Sequence, residues 1–307
     1  MGNKYARVIV NPVAGGGATG KKWPEIKRQL EIKGVDFDFE LTTGKGHAGQ
    51  IAFDATNKRY SFIIAVGGDG TVNEVANGIL SSPNRNHATL GVINTGTGSD
   101  YIRTVGTPRD YLAACNFLER KERFLIDVGV VNYYKNGKKE RRFFVNYAGT
   151  GFDAEVAEAT NRMPKPKFIS STIPYVISLL KTLISYRNKT VKLSLDNNKA
   201  RQGRLLSVII ANGRFIGGGM KIAPEAELDD GKLDVVIINN VGKFELLRAF
   251  PRIYSGTHTT HPKVDIQHGC HIEVESVERM PVCADGELLG ECPATFDIIP
   301  QALAVAR

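Results

Sequence analysis

The sequence predicts an N-terminal α/β domain with a parallel sheet wound on both faces, followed by a mainly antiparallel C-terminal domain, a β-sandwich or open barrel. Three observations point there. Residues 5–130 alternate strand and helix signals, the pattern of a parallel sheet covered by helices. After about residue 125, short β-rich runs separated by turn dipeptides take over. The chain has 307 residues, 42% hydrophobic and 23% charged, which suits two cores and excludes a disordered segment.

Each element follows from its local pattern. Tyr5–Asn11 is a short β-branched strand. Residues 19–33 place Trp23, Ile26 and Leu30 on one helical face. Phe37–Leu41 alternates as a strand, and 46–57 fits a helix. Ser61–Val66 is a continuous apolar run, as expected of a strand buried on both faces. Thr71–Leu80 reads as a helix, Thr89–Ile93 as a strand and Asp110–Glu119 as a helix. Eight β runs follow: 124–131, 142–147, 190–195, 205–211, 233–239, 264–268, 271–277 and 295–299. Asn136-Gly137, Asp230-Gly231 and Asp285-Gly286 mark turns between them, and one clear helix, Tyr175–Tyr186, interrupts the series. The expected domains are 1–126 and 127–294, with the segment 295–307 returning to the first.

Composition narrows the function classes. No run approaches the roughly 20 apolar residues of a spanning helix, and no signal-peptide pattern opens the chain, so a cytoplasmic protein is expected. Cys115, Cys270, Cys283 and Cys292 lack C-x-x-C spacing and read as reduced thiols. Formal net charge is +8, and residues 131–204 hold fifteen Lys/Arg against five Asp/Glu. A basic middle suits an anionic membrane surface or is a solvated face. No zinc-finger, RNP or helix-turn-helix signature supports nucleic-acid binding. The pairs His258/His261 and His268/His271 have zinc-like spacing without a matching Cys pair, and solvent-facing or turn histidines are the simpler reading.

The strongest local signal is Gly67-Gly68-Asp69-Gly70-Thr71-Val72-Asn73-Glu74, between the buried strand and a helix. Glycines let backbone approach a ligand, and the helix N-terminus offers N–H groups to phosphate. Asp69 beside phosphate makes sense with Mg²⁺ between them. Asn11-Pro12-Val13-Ala14-Gly15, Thr42-Thr43-Gly44-Lys45-Gly46-His47 and Asn94-Thr95-Gly96-Thr97-Gly98-Ser99-Asp100 form further polar turns at strand ends. Neither a Walker A loop nor a convincing dinucleotide fingerprint is present. Four such turns at one sheet edge predict a nucleotide or polyphosphate site.

These motifs, in this order, resemble the diacylglycerol kinase catalytic family. The resemblance continues through Asp127-Val-Gly129, Phe144–Asp153, Ile210–Gly213, Gly217–Gly219, Pro224–Asp234 and Asp285-Gly286-Glu287, and is greatest for the soluble bacterial lipid kinases. It implies ATP-dependent phosphorylation of a lipid hydroxyl by a two-domain, NAD-kinase-like enzyme with its site in the interdomain cleft. Carried over, Asn11–Gly15, Thr43, Gly67–Asn73 and Thr97 bind ATP, while Asp69, Asp100 and Asp127 hold Mg²⁺, partly through water. Asn94-Thr95 stands where the family often has Pro-Leu, which bears on the fit of that loop. Glu287 is implied as the proton acceptor, with Asp285 as partner or alternative; on local pattern alone, Asp285-Gly286 is an ordinary hairpin turn. The family's second, non-catalytic Mg²⁺ falls on the Asp230 carboxylate and the carbonyls of Glu227 and Lys232.

A lipid kinase must visit a membrane. Ile173, Val176, Ile177, Leu180, Leu183 and Ile184 give segment 173–186 one broad apolar face, and Lys165, Lys167, Arg187 and Lys189 flank it. That helix either packs on the β domain or lies at an anionic interface, or does both. The rival enzyme reading is an NAD kinase-like small-molecule kinase. The sequence leaves the lipid and the oligomeric state open, a homodimer included.

Overall fold

The first strand, β1 (Ala6–Val10), is paired on both sides, and that pairing organises the N-terminal sheet. It runs parallel to β2 (Phe37–Leu41) and to β3 (Phe62–Gly67), with Ala6 opposite Phe37 and Phe62. β3 in turn pairs in parallel with β4 (Thr89–Asn94). The structure, a computed structural model, describes residues 6–96, 98–119, 122–163 and 172–307. It divides into two compact units, residues 1–127 with 300–307, and residues 128–299.

Helices in the first unit are α1 (Ala18–Ile32), α2 (His47–Asn57), α3 (Asp69–Ser81), α4 (Asp100–Val105) and α5 (Tyr111–Glu119). Trp23, Ile26 and Leu30 of α1 and Ala114, Cys115 and Leu118 of α5 share a core with Val8, Val10, Ile64 and Val66. The alternate strand residues Ile9, Ile63 and Ala65 are equally buried, and α2 and α3 pack against β1 and β3. Period-2 alternation thus sends apolar side chains to both faces. β5 (Arg123–Lys135) leads into the second unit.

The second unit contains β6 (Lys138–Phe144), β7 (Tyr147–Gly151), α6 (Phe152–Arg162), α7 (Thr172–Ser185), β8 (Lys189–Leu195), β9 (Arg201–Ala211) and β10 (Leu233–Asn239). Then come α8 (Lys243–Ala249), α9 (Arg252–Ser255), β11 (Val264–Gly269), β12 (His271–Ser276), β13 (Pro281–Ala284) and β14 (Glu287–Ala306). Antiparallel pairing runs β9–β7–β13–β14–β12–β8 and back to β9, which closes a six-stranded ring. The expected sandwich or open barrel is therefore closed by hydrogen bonds. β14 makes this possible by pairing β13 through Glu287–Glu291 and β12 through Ala294–Asp297. Closure leaves those strands without bare edges.

Val208, Ile210, Val235 and Ile237 point into an all-strand core, whereas Leu206, Ile209, Val236 and Ile238 join the core beneath α6, α7 and α8. One helix was expected here; α6, α8 and α9 are additional. α8 and α9 are short, and α6 carries Asp153, Glu155 and Glu158 among its apolar positions, so helical periodicity is weak in all three. The last turn of chain, Ala304–Val305, pairs in parallel with β4 in the first unit.

Candidate active site

The loops after β1, β3 and β4 interlock through backbone. Asn11 N–H donates to the Val66 carbonyl at 3.0 Å, and its Nδ2 donates to Thr71 Oγ1 at 3.0 Å. Thr95 and Gly96 both donate to the Gly67 carbonyl, at 2.9 and 3.2 Å. A Cβ on Gly15 would sit 2.7 Å from the Thr95 carbonyl oxygen, and one on Gly96 would sit 2.6 Å from Gly68 Cα. Neither position can carry a side chain unless a loop moves. Gly15 also has φ 61°, which disfavours any other residue. The hydroxyls of Thr19 and Thr95, 2.6 Å apart, fasten α1 to the third loop.

No side chain caps the N-terminus of α3, which starts at Asp69. Asn11 Oδ1 is buried nearby and has no hydrogen-bond partner. An uncapped helix start beside glycine backbone is suited to anionic oxygens. Thr43 reaches His47 Nδ1 through both its N–H and its hydroxyl, each at 3.0 Å. Glu74 accepts from Gly46 N–H at 2.8 Å and Ala48 N–H at 3.2 Å, and so caps α2 and holds the Thr43–His47 loop. Thr97 lies outside the described residues.

Of the three acids implied for Mg²⁺, the structure brings Asp69 to the start of α4, where Tyr101 N–H donates to its Oδ1 at 3.4 Å. Asp100, the first residue of α4, is buried. Asp127 is fully buried, and its Oδ1 accepts from Gln301 N–H at 2.7 Å. Among the described residues, no three His, Cys, Asp or Glu side chains gather as a metal cage. One or two carboxylates fit Mg²⁺, which keeps waters and takes its other ligands from phosphates.

In the second unit, Asp285 and Gly286 form a two-residue hairpin turn, with φ 46° and 80°, as a type I′ turn requires. The Asp285 carboxylate accepts three backbone N–H bonds, from Val145 at 2.9 Å, Asn146 at 3.0 Å and Tyr147 at 2.9 Å. That engagement makes Asp285 an anchor for the β6–β7 connection. Glu287 is half-buried, with Arg142 Nη2 3.6 Å from its Oε2. Burial pushes the nearby Tyr133 hydroxyl up to about 12, helped by its bond to Glu140 and the charge of Glu287.

At the second implied cation site, Asp230 Oδ1 accepts from Lys232 N–H at 3.0 Å, an Asx turn. Glu227 lies just upstream. Burial raises the adjacent Asp234 carboxyl to about 6. His258 is buried rather than solvent-facing, its Nε2 3.0 Å from the Ile222 carbonyl. Burial also raises Asp153, against hydrogen bonds from Ser207 and Cys283.

Thr19 and Arg142 bear on these loops through partners distant in sequence, and no local pattern singles them out; Glu74 and Thr95 fall within the loop motifs, but their contacts are not marked there. Glu74 ends the Gly67–Glu74 motif, which is the one signal that marks it; the partners of the others are distant in sequence.

Comparison with known proteins places this geometry. The sequence model of the diacylglycerol kinase catalytic domain matches residues 5–131. The model described as YegS C-terminal NAD kinase beta sandwich-like domain matches residues 146–307. A diacylglycerol kinase of Staphylococcus carnosus is 31% identical over 302 residues, 98% of this chain and 94% of the relative. One from Bacillus subtilis is 32% identical over 295 residues, 95% of this chain and 93% of the relative. A solved diacylglycerol kinase from Bacillus anthracis shares the fold with a TM-score of 0.75 at 21% identity, covering 99% of this chain and 96% of its own. An NAD kinase from Archaeoglobus fulgidus, solved with ATP, shares it more distantly, with a TM-score of 0.52 at 16% identity and coverage of 98% and 93%. Near full-length identity above 30% settles the relationship: this chain belongs to the diacylglycerol kinase family, and with it to the kinases that transfer a phosphoryl group.

Proposed function

We propose that the protein is an ATP-dependent lipid kinase that phosphorylates the hydroxyl of diacylglycerol or a related lipid alcohol at a membrane surface. The observation that carries this reading is the set of interlocked glycine loops around the uncapped start of α3, with Asp69 at its first residue. Asn11, Pro12, Val13, Ala14 and Gly15, with Thr43 and Gly67–Asn73, bind the nucleotide; Thr97 belongs to the same proposed set. Asp69, Asp100 and Asp127 would hold Mg²⁺, partly through water, and the ion would supply neutralisation of phosphate charge. Asp230 and the carbonyls of Glu227 and Lys232 hold the proposed second ion. Glu287 accepts the lipid hydroxyl proton as the oxygen bonds to the γ-phosphorus and ADP leaves. Arg142, with Nη2 3.6 Å from Glu287 Oε2, orients that carboxylate.

The test is ATP consumption with product identification against diacylglycerol, polyprenol, a sphingoid base, phosphatidylglycerol and NAD. A phosphorylated lipid alcohol is the expected product. Turnover of NAD alone would move the assignment to the NAD kinase-like reading.

A further inference from the structure

Helices α7, α8 and α9 bury one side and expose the other. Leu179 and Leu183 of α7, with Tyr186 just past its end, share an apolar core with Leu246, Phe250 and Ile253. On the other side stand Ile177, Leu180 and Ile184 of α7, Phe244 and Leu247 of α8, and Tyr254 of α9. Phe244 is 91% exposed and Ile184 74%; several exposed apolar side chains on these helices, rather than one alone, are what is informative. The two are neighbours, because the Lys243 ammonium donates to the Ile184 carbonyl and Asn188 Nδ2 donates to the Val241 carbonyl at 3.1 Å.

The charge around this patch selects its partner. Lys181, Arg187, Lys243, Arg248 and Arg252 are all exposed on the same helices or their ends. The acids nearby are already engaged: Glu245 with Lys263 at 2.6 Å, and Glu155 with Lys189 at 2.6 Å. A second copy of this chain would bring the same basic ring against itself. An anionic bilayer offers hydrocarbon for the rings and phosphate for the cations.

We propose that the outer face of α7–α9 docks on an anionic lipid bilayer, with Phe244 and Ile184 entering the acyl boundary and Lys181, Lys243 and Arg248 at the headgroups. This deepens the membrane-lipid reading above and rests on it for its purpose, though its test is independent. Both anchors are exposed in solution, so Phe244→Ser with Ile184→Ser leaves the core intact, which an unchanged melting curve checks.

The experiment is cosedimentation of the full chain with phosphatidylcholine vesicles, with and without phosphatidylglycerol, at low and high salt. Wild type should bind only the anionic vesicles and release with salt, and the double variant should partition at least about tenfold more weakly. The variant should still phosphorylate short-chain diacylglycerol in solution. Vesicle binding that is lost in the variant, with no lipid phosphorylated by either protein, would support the docking face and sink the kinase assignment. Equal vesicle binding by variant and wild type overturns the docking face, whatever the substrate. So does failure of wild type to bind, or a wild-type dimer that the double variant dissolves.

Discussion

Asp285 and Glu287 are two residues apart, yet their surroundings separate their roles. Asp285 satisfies three peptide N–H groups, so Asp285→Ala leaves three donors without their acceptor. It should cost about 2 kcal/mol or more and lower the melting temperature, as calorimetry would show. Glu287 stands in a different setting, with its Oε2 3.6 Å from Arg142 Nη2. On the proposed reading, Glu287→Gln melts like wild type and still binds ATP, but loses roughly 10²- to 10⁴-fold in turnover, the range of a lost general base. Near-normal kcat would refute that role. His271 tests the electrostatics separately. Its bond to Asp297 at 2.6 Å raises the imidazole above its usual range, burial opposes this, and Glu273 adds to it. A raised histidine stabilises the fold fully below its unfolded pKa of about 6.5, and the gain is lost as pH climbs through the higher folded value. Wild type should therefore out-melt His271→Gln at pH 5.5 and lose that margin on the alkaline side of neutrality. A constant gap across the titration would count against the pairing.

Among elements, the α2–α3 contact depends most on residue size. A Cβ on Gly78 would collide with the Gly49 carbonyl and lie 2.7 Å from Ala52 Cβ. Gly78→Ala, stabilising in an isolated helix, should here cost about 1–3 kcal/mol by overpacking, measurable by urea titration. Glu74 ties α3 to the start of α2, so Glu74→Ala should loosen the Thr43–His47 loop. Its effect should fall on the KM for ATP more than on kcat, which steady-state kinetics can separate. Helix α7 shows what periodicity leaves out. Its broad apolar face reads as one surface, but Leu183 faces the core while Ile177, Leu180 and Ile184 face out. A stripe wider than the packed seam does not say which part packs. Ile173 and Val176 have no described side chains, and Lys165 and Lys167 lie outside the described residues.

For the molecule as a whole, the end of the chain is part of the first unit's sheet. Leu303, Ala304, Val305 and Ala306 are buried, Ala304 and Val305 pair with β4, and Gln301 N–H satisfies Asp127. Deleting 300–307 removes burial worth several kcal/mol, comparable with a domain's whole stability, and removes the Gln301 N–H bond to Asp127. The truncated chain should lose the thermal transition of the N-terminal unit or fail to express in soluble form. An unshifted melting curve would contradict the pairing. No helix among the described residues is long and apolar enough to cross a membrane.

The sequence by itself determined the strand–helix alternation of the first unit, the β-rich second unit and the positions of the glycine loops. Those features are written in local periodicity and in turn chemistry that neighbouring residues specify. Only the tertiary structure decided that six strands close into a ring, that Asp285 is an anchor, and that Gly15 and Gly96 are glycine because another loop lies against them. Each of these depends on groups distant along the chain, such as Asp285 and Val145 or Gly15 and Thr95, whose meeting no local pattern encodes.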